Sequence, residues 1–258
     1  MRTVSLADRP DLADAAFAIP YGPHGGPFMR GNQVAVLVRW RRLAQRWPGY
    51  TVVLLDERDV PVARGVMVPF AADVEDRERF PDGGWDQVVI WAAEDVLDGT
   101  PPDTACALGI VVHPDCYGQR LSRRVLASMV ERAGASGLAL IAPIRPPDKA
   151  AEPHTDMAEY ASRTRSDGLP ADRWLRVHVR AGGRIIGIAR CSATVQAPLA
   201  QWREWTGLAF REDGPVAVPG GLVPALASQA QDVGVYVEPN VWVLHTTEAR
   251  RPQTSGSR

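Results

Sequence analysis

Cysteine is scarce in this chain. Cys106, Cys116 and Cys191 are the three present in 258 residues, an odd number with no C-x-x-C spacing. That excludes a disulfide framework and a cysteine-built zinc site, and it fits a reducing compartment. Cys116 reads either as a nucleophile or as a small apolar filler. Lysine is scarcer still: Lys149 stands alone among arginines, a bias of GC-rich bacterial coding more than a sign of function. An excess of one charge is also missing, since 29 Lys and Arg against 30 Asp and Glu leave a net charge of −1. Nucleic acid is therefore not an expected partner. No stretch approaches the roughly 20 apolar residues of a membrane span, and MRTVSLADRPDL carries charge where a secretory signal would be apolar. The expectation is a cytoplasmic protein without membrane attachment or metal, of unassigned oligomeric state.

What is present suffices for a core: the chain is 45% hydrophobic, and its length sets a prior between one and two domains. After His245 the sequence turns polar, which predicts a disordered tail over 246–258.

The organising stretch is 104–137. Residues 105–112 form a short apolar run rich in Ile and Val, as in a strand covered on both faces. After Pro114 the period changes, and Leu121, Val125, Leu126, Met129, Val130 and Ala133 line one side of a helix ending near Gly134 or Gly137. A strand feeding a helix through a turn aims the unpartnered first N–H groups of the helix, and the positive end of its dipole, at the turn, so residues 117–122 form an anion seat. Arg120, Arg123 and Arg124 either add charge to that seat or solvate an exposed helix face.

Around this centre, residues 4–7 predict a strand and 8–18 a helix capped by Asp8. The Gly/Pro-rich IPYGPHGGPFMRGN, with Tyr21, His24 and Arg30, is a substrate-side loop or a long connection. Helical spacing resumes over 33–47, and TVVLLD and PVARGVMVPFA flank a polar turn as a hairpin. The segment after the hairpin carries Trp85, Trp91, Glu94 and Asp95, which suit an acceptor pocket for a cationic amine or a surface loop with solvated acids. LALIAPI is the next strand. A short helix over 156–164 bears Tyr160, a packing residue or an acid. WLRVHVRAGGRIIGIARCSATV reads as two strands about Gly182-Gly183, placing His178 on a face with Arg176 and Arg180, either as a base held neutral by those charges or on a polar sheet face without chemistry. Residues 199–206 form a helix, and YVEPNVWVLH is a last strand with Glu238, Asn240, Trp242 and His245 on one alternating set.

The segment P-D-C-Y-G-Q-R-L-S-R-R-V-L, preceded by L-G-I-V-V-H, resembles the pyrophosphate-binding segment of the GCN5-related N-acetyltransferases, roughly V-x-P-x-x-[RQ]-G-x-G-x-[GA]. Val112, Pro114, Gly118 and Leu121 match; Tyr117 stands for Arg or Gln, Arg120 for the second Gly and Ser122 for the terminal Gly or Ala. D-x-W-L-R-V-H-x-R-x-G-G, E-W-T-G, V-P-G-x-L-V-P and Y-V-E-P-N-V-W-V-x-H are similar to a group of actinobacterial acetyltransferase-like proteins, a resemblance that spans roughly 50–245 and implies one continuous domain over 1–245. The resemblance implies an α/β fold, a mixed central sheet flanked by helices, with an insertion before the central strand and an extended C-terminal half. It implies transfer of an acyl group from a pantetheine thioester, either acyl-CoA or a phosphopantetheine-tethered donor on an acyl-carrier protein, to a small-molecule amine in bacterial specialised metabolism. No metal is involved, and attack is direct, without a covalent enzyme intermediate. By the same resemblance the central strand splays from its neighbour, pantetheine lies along Ile110, Val111 and Val112, and the phosphates sit at Tyr117, Gly118, Gln119, Arg120, Leu121, Ser122 and Arg123. Tyr160 is the acid; His178 and Glu94 are candidates for the base. The alternative is a non-catalytic acyl-CoA- or partner-binding scaffold of the same fold. A doubly wound nucleotide-binding fold is disfavoured, because no G-x-G-x-x-G follows the first strand and the hairpin comes too early.

Overall fold

The computed structural model describes residues 1–22 and 26–246. His24 and the expected tail beyond Thr246 lie outside the described residues. Among the described residues nine strands form one sheet: β1 (Arg2–Ser5), β2 (Thr51–Leu55), β3 (Pro61–Phe70), β4 (Thr104–Val112), β5 (Ala139–Ile144), β6 (Gly183–Pro198), β7 (Gly214–Val216), β8 (Ala225–Ser228) and β9 (Val233–His245). Their order is β1-β2-β3-β4-β5-β9-β8-β7, with β6 also paired to β9. Only β4 and β5 run parallel; the other pairs are antiparallel. The helices are α1 (Ala13–Ala18), α2 (Gln33–Val38), α3 (Trp40–Arg46), α4 (Gly84–Asp98), α5 (Leu121–Ala135), α6 (Met157–Ser162), α7 (Arg173–Arg180) and α8 (Leu199–Thr206). This is the mixed α/β architecture the resemblance implied. None of the described helices is long and apolar enough to cross a membrane.

Side-chain alternation assigns the helices to two layers. On one face α5 buries Val125 and Met129 against β2, β3 and β4. Gly65 of β3 allows that approach, because a Cβ there would lie 2.5 Å from Met129 Sδ. The same face continues across Leu140 and Ala142 to α6 and α7, which bury Met157, Tyr160 and Leu175. On the other face α4 lays Val88, Val89 and Ala92 on Val68, Phe70, Cys106, Ile141 and Trp242.

Three expectations are corrected. Residues 174–180, read as a strand from the alternation of Leu175, Val177 and Val179, lie on the helix α7. That run satisfies both periods, and capping breaks the tie: Asp172 accepts the N–H groups of Trp174 and Leu175 at 2.8 and 2.9 Å, and Leu175 and His178, three apart, are buried together. The helix expected over 33–47 divides at Arg39, whose φ of 50° ends α2 and starts α3. The segment carrying Trp85, Trp91, Glu94 and Asp95 is not loop, since all four lie on the 15-residue α4.

The β4/β5 ladder is short. Thr104, Ala105 and Cys106 pair with Ala139, Leu140 and Ile141, and there it stops. Beyond it β4 keeps to β3 while β5 pairs with β9, from Leu140 opposite His245 to Ile144 opposite Val241. The β3/β4 register shifts so that Leu108 has no partner between Ala107 and Gly109, a bulge that bends β4 away. A wedge therefore opens between β4 on one side and the ends of β5 and β9 on the other, the splay the resemblance implied.

Candidate active site

Residues 107–112 of β4 form one lip of the wedge. The other lip is β9 beyond Val241, where Asn240 and Glu238 follow the last β5 pair. The first turn of α4 bridges the two. Gly84, at φ +47°, lies so close to β6 that a Cβ would stand 2.3 Å from Ser192 Oγ. Trp85 donates its backbone N–H to Ser192 Oγ at 2.9 Å and its ring Nε1–H to the Leu108 carbonyl at 3.1 Å, tying α4 to both strands. Ser192 in turn donates to Asn240 Oδ1 at 2.7 Å, and Trp40 packs on Trp85 with ring centroids 5.5 Å apart.

Two carboxylates occupy this region in unlike company. Glu238 is buried; Arg145 Nε donates to both its oxygens at 3.0 Å, Tyr236 Oη–H donates at 2.6 Å and Asn240 Nδ2 at 3.3 Å. Among the described residues Asp86 has no such cation. It accepts from Asn32 Nδ2 at 2.8 and 3.1 Å and from the Thr194 N–H at 3.0 Å. Asn32 is fixed by capping α2, its Oδ1 taking the Ala35 N–H at 2.7 Å. Burial pushes the Asp86 carboxyl up to about 6; the Asn32 and Thr194 donors pull the other way, and the Glu238 charge adds to the rise.

On the opposite face β4 runs out into the turn before α5. Ile110, Val111 and Val112 are half-buried, and Tyr117, Gly118, Gln119 and Arg120 are exposed. Arg120 holds φ 57° at the N-cap of α5 and Gly118 holds φ 80°. Arg120 thus keeps the left-handed backbone that glycine would adopt at no cost. Leu121 is buried under the helix, Ser122 is half-buried and Arg123 is exposed, while Arg124 reaches back to the Met1 carbonyl.

The three acid–base candidates are not brought together. Glu94 pairs with Arg77 at 3.6 Å near the far end of α4, two turns or about 12 Å along the helix from Asp86. Its neighbour Asp95 is buried and anchors that end, accepting from the Ala71 N–H and from Arg77, each at 2.7 Å. Tyr160 lies under β5 and β9 and donates its hydroxyl to Asp172 at 3.1 Å; burial and that carboxylate push its phenol up. His178 does not share a sheet face with arginines. It is buried on α7 with Nδ1 3.0 Å from His245 Nε2, opposite the closed end of the wedge, where His245 pairs with Leu140.

Burial holds His178 at about 3, with a contribution from His245, and burial holds His245 at about 4. Both imidazoles are neutral in the fold and titrate near 6.5 when unfolded, so their contribution is full above about 6.5 and is lost as pH falls toward the folded values. Between pH 7 and pH 5 the protein should lose up to about 1.4 kcal/mol per pH unit for each proton taken up. A His178→Phe variant should show a shallower acid slope in urea unfolding; equal slopes would exclude the pair as the cause.

No family model matches the chain. A search of curated proteins does find a relative: over 272 residues, 93% of this chain and 92% of the other, it is 32% identical to the arginine N-acetyltransferase avaD of Aspergillus versicolor. The chain belongs to the GCN5-related N-acetyltransferases. It is accordingly an amide-forming acyltransferase. Solved structures share the fold at lower identity. The loading GNATL domain of CurA from Lyngbya majuscula has a TM-score of 0.57 at 15% identity, covering 95% of each chain. A GphF GNAT-like decarboxylase in complex with isobutyryl-CoA has 0.55 at 16%, covering 95% of this chain and 99% of the other.

Within this acetyltransferase fold, sequence reading missed Asp86, Asn32, Ser192 and the Arg145–Glu238 pair. One signal for Asp86 was available. Trp85, Val88, Val89 and Ala92 keep helical spacing after Gly83-Gly84, which would have placed Asp86 in the first turn of a helix.

Proposed function

We propose that this acyltransferase moves an acetyl or similarly short acyl group from acyl-CoA to the amino group of a small basic amine of the arginine class. The observation that carries this is the near full-length relative named for arginine N-acetylation. A half-buried carboxylate with no cation on it among the described residues, Asp86, supports a cationic acceptor. In this reading 1–245 act as one domain, and pantetheine lies along Ile110, Val111 and Val112. Its phosphates sit at the turn from Tyr117 to Ser122, with Arg120 and Arg123 beside them. The protein need only hold thioester and amine together, polarise the carbonyl and move protons.

The test offers acetyl-CoA with arginine, agmatine, ornithine and citrulline, and reads thiol release and product mass. Arginine and agmatine should outrun citrulline, whose side chain is neutral. No thiol release with any amine would overturn the reading. Repeating the assay with the same acyl group on an acyl-carrier protein, and with Arg120→Gly and Arg123→Glu, tests the donor. A faster, salt-sensitive carrier reaction weakened by Arg123→Glu would replace CoA by the carrier.

A further inference from the structure

The first turn of α4 roofs the wedge, reaching β4 through Trp85 and Leu108 and β6 through Asp86 and Thr194. Among the described residues, the charged groups nearest this turn are already matched. Glu238 on β9 holds Arg145 from the end of β5, Tyr236 spends its hydroxyl on Glu238, and Asp82, just before α4, is paired with Arg190 of β6 at 2.8 Å. Asn32 and Thr194, which bond Asp86 from the start of α2 and from β6, are neutral. A desolvated carboxylate without a cation is costly, and an amide of the same shape would be cheaper for folding. The fold keeps the carboxylate half-buried in the first turn of α4, one residue after the Trp85 whose ring reaches the bulge of β4 at Leu108.

We propose that Asp86 receives the ammonium of the acceptor amine and takes its proton as the amine attacks the thioester. This rests on the reading of the acceptor as a basic amine. The proton passes from the ammonium to Asp86 Oδ and on to water. The freed nitrogen lone pair forms the C–N bond at the thioester carbon, the C–S bond breaks, and the thiolate leaves with its electron pair and takes the second proton given up by the attacking nitrogen, directly or through water, which leaves the neutral amide. Asn32 is a positioning residue, because its two bonds to Asp86 favour the ionised form.

Asp86→Asn should lower kcat/KM for arginine about 100- to 10,000-fold, with acetyl-CoA affinity unchanged as the control for folding. The wild-type kcat/KM should climb with pH through about 6; that limb should vanish in Asp86→Asn, persist in Asp86→Glu, and move upward in Asn32→Ala. Calorimetry with agmatine on the CoA-bound protein should show weaker binding to Asp86→Asn. Failure of the wild type to acylate any basic amine would reject the functional reading alone, and agmatine binding would still decide on Asp86. Equal agmatine affinity, or an acid limb kept in Asp86→Asn, overturns the proposal. If Asp86→Asn fails to bind acetyl-CoA, the limb in Asn32→Ala decides: displaced supports the proposal, unmoved rejects it.

Discussion

Gly84→Ala is expected to destabilise the protein by about 2–5 kcal/mol and to abolish most of its activity, although alanine adds a single methyl group. Two costs combine. Gly84 sits at φ +47°, where an L side chain costs roughly 1–2 kcal/mol. The new Cβ would also stand 2.3 Å from Ser192 Oγ, 2.5 Å from its Cβ and 2.7 Å from its Cα. The last of these is backbone, so the strand or the helix must move, which typically costs about 1–3 kcal/mol. Movement there breaks the Trp85 N–H bond to Ser192 and the Ser192 bond to Asn240, and it carries Trp85 and Asp86 off the wedge. Gly99→Ala is the matched control at the other end of α4. It too is left-handed, φ +70°, but nothing lies within 4 Å of its Cβ. It should show only the backbone cost and keep full activity. Thermal melting and kcat/KM of the pair decide the matter: if Gly84→Ala is no worse than Gly99→Ala, close approach to Ser192 is not what requires glycine.

The comparison of Gly84 with the β4–α5 centre shows what a sequence carries. The strand at 104–112, the hairpin of β2 and β3 and the helix at 199–206 stood out because each rests on local period and punctuation. The β4–turn–α5 segment also names its chemistry locally, since one run of residues supplies the strand, the turn and the helix N-terminus. The α7 error has the opposite origin. A run alternating Leu, Arg, Val and His fits two periods, and the Asp172 side chain decides between them. The acceptor side is illegible for a further reason. Asn32, Asp86, Ser192 and the Glu238–Asn240 stretch of β9 come from four separate places in the chain. They meet because the β4/β5 ladder stops at Cys106 while β9 pairs with β6 along its whole length, a long-range result that no window contains. Glu238 and Asn240 were visible as one face of a strand, but the partners that give them meaning were not.

Glu238→Ala should be among the most damaging single substitutions in the chain, at about 3–5 kcal/mol, because it orphans a largely buried cation. Arg145 is 21% exposed and would keep only its bond to the Gly220 carbonyl. Tyr236, which accepts the Leu222 N–H at 2.8 Å, would lose its acceptor, and the loop that closes on β9 would lose its tie. Glu238→Gln keeps an oxygen for Tyr236 and should cost less, about 1.5–3 kcal/mol, the worth of hydrogen bonds to a charged group. In a double-mutant cycle, Arg145→Met should recover part of the Glu238→Ala loss, and strict additivity would show that charge pairing is not what Glu238 supplies. The same substitution reports on Asp86. Glu238 contributes to the raised carboxyl of Asp86 by like-charge repulsion, so Glu238→Gln removes that contribution and leaves the Arg145 charge free to act on Asp86. Both changes favour the ionised form, and the acid limb of kcat/KM should therefore move below about 6. An unmoved limb in a folded Glu238→Gln variant would mean that the two carboxylates do not sense each other across the wedge.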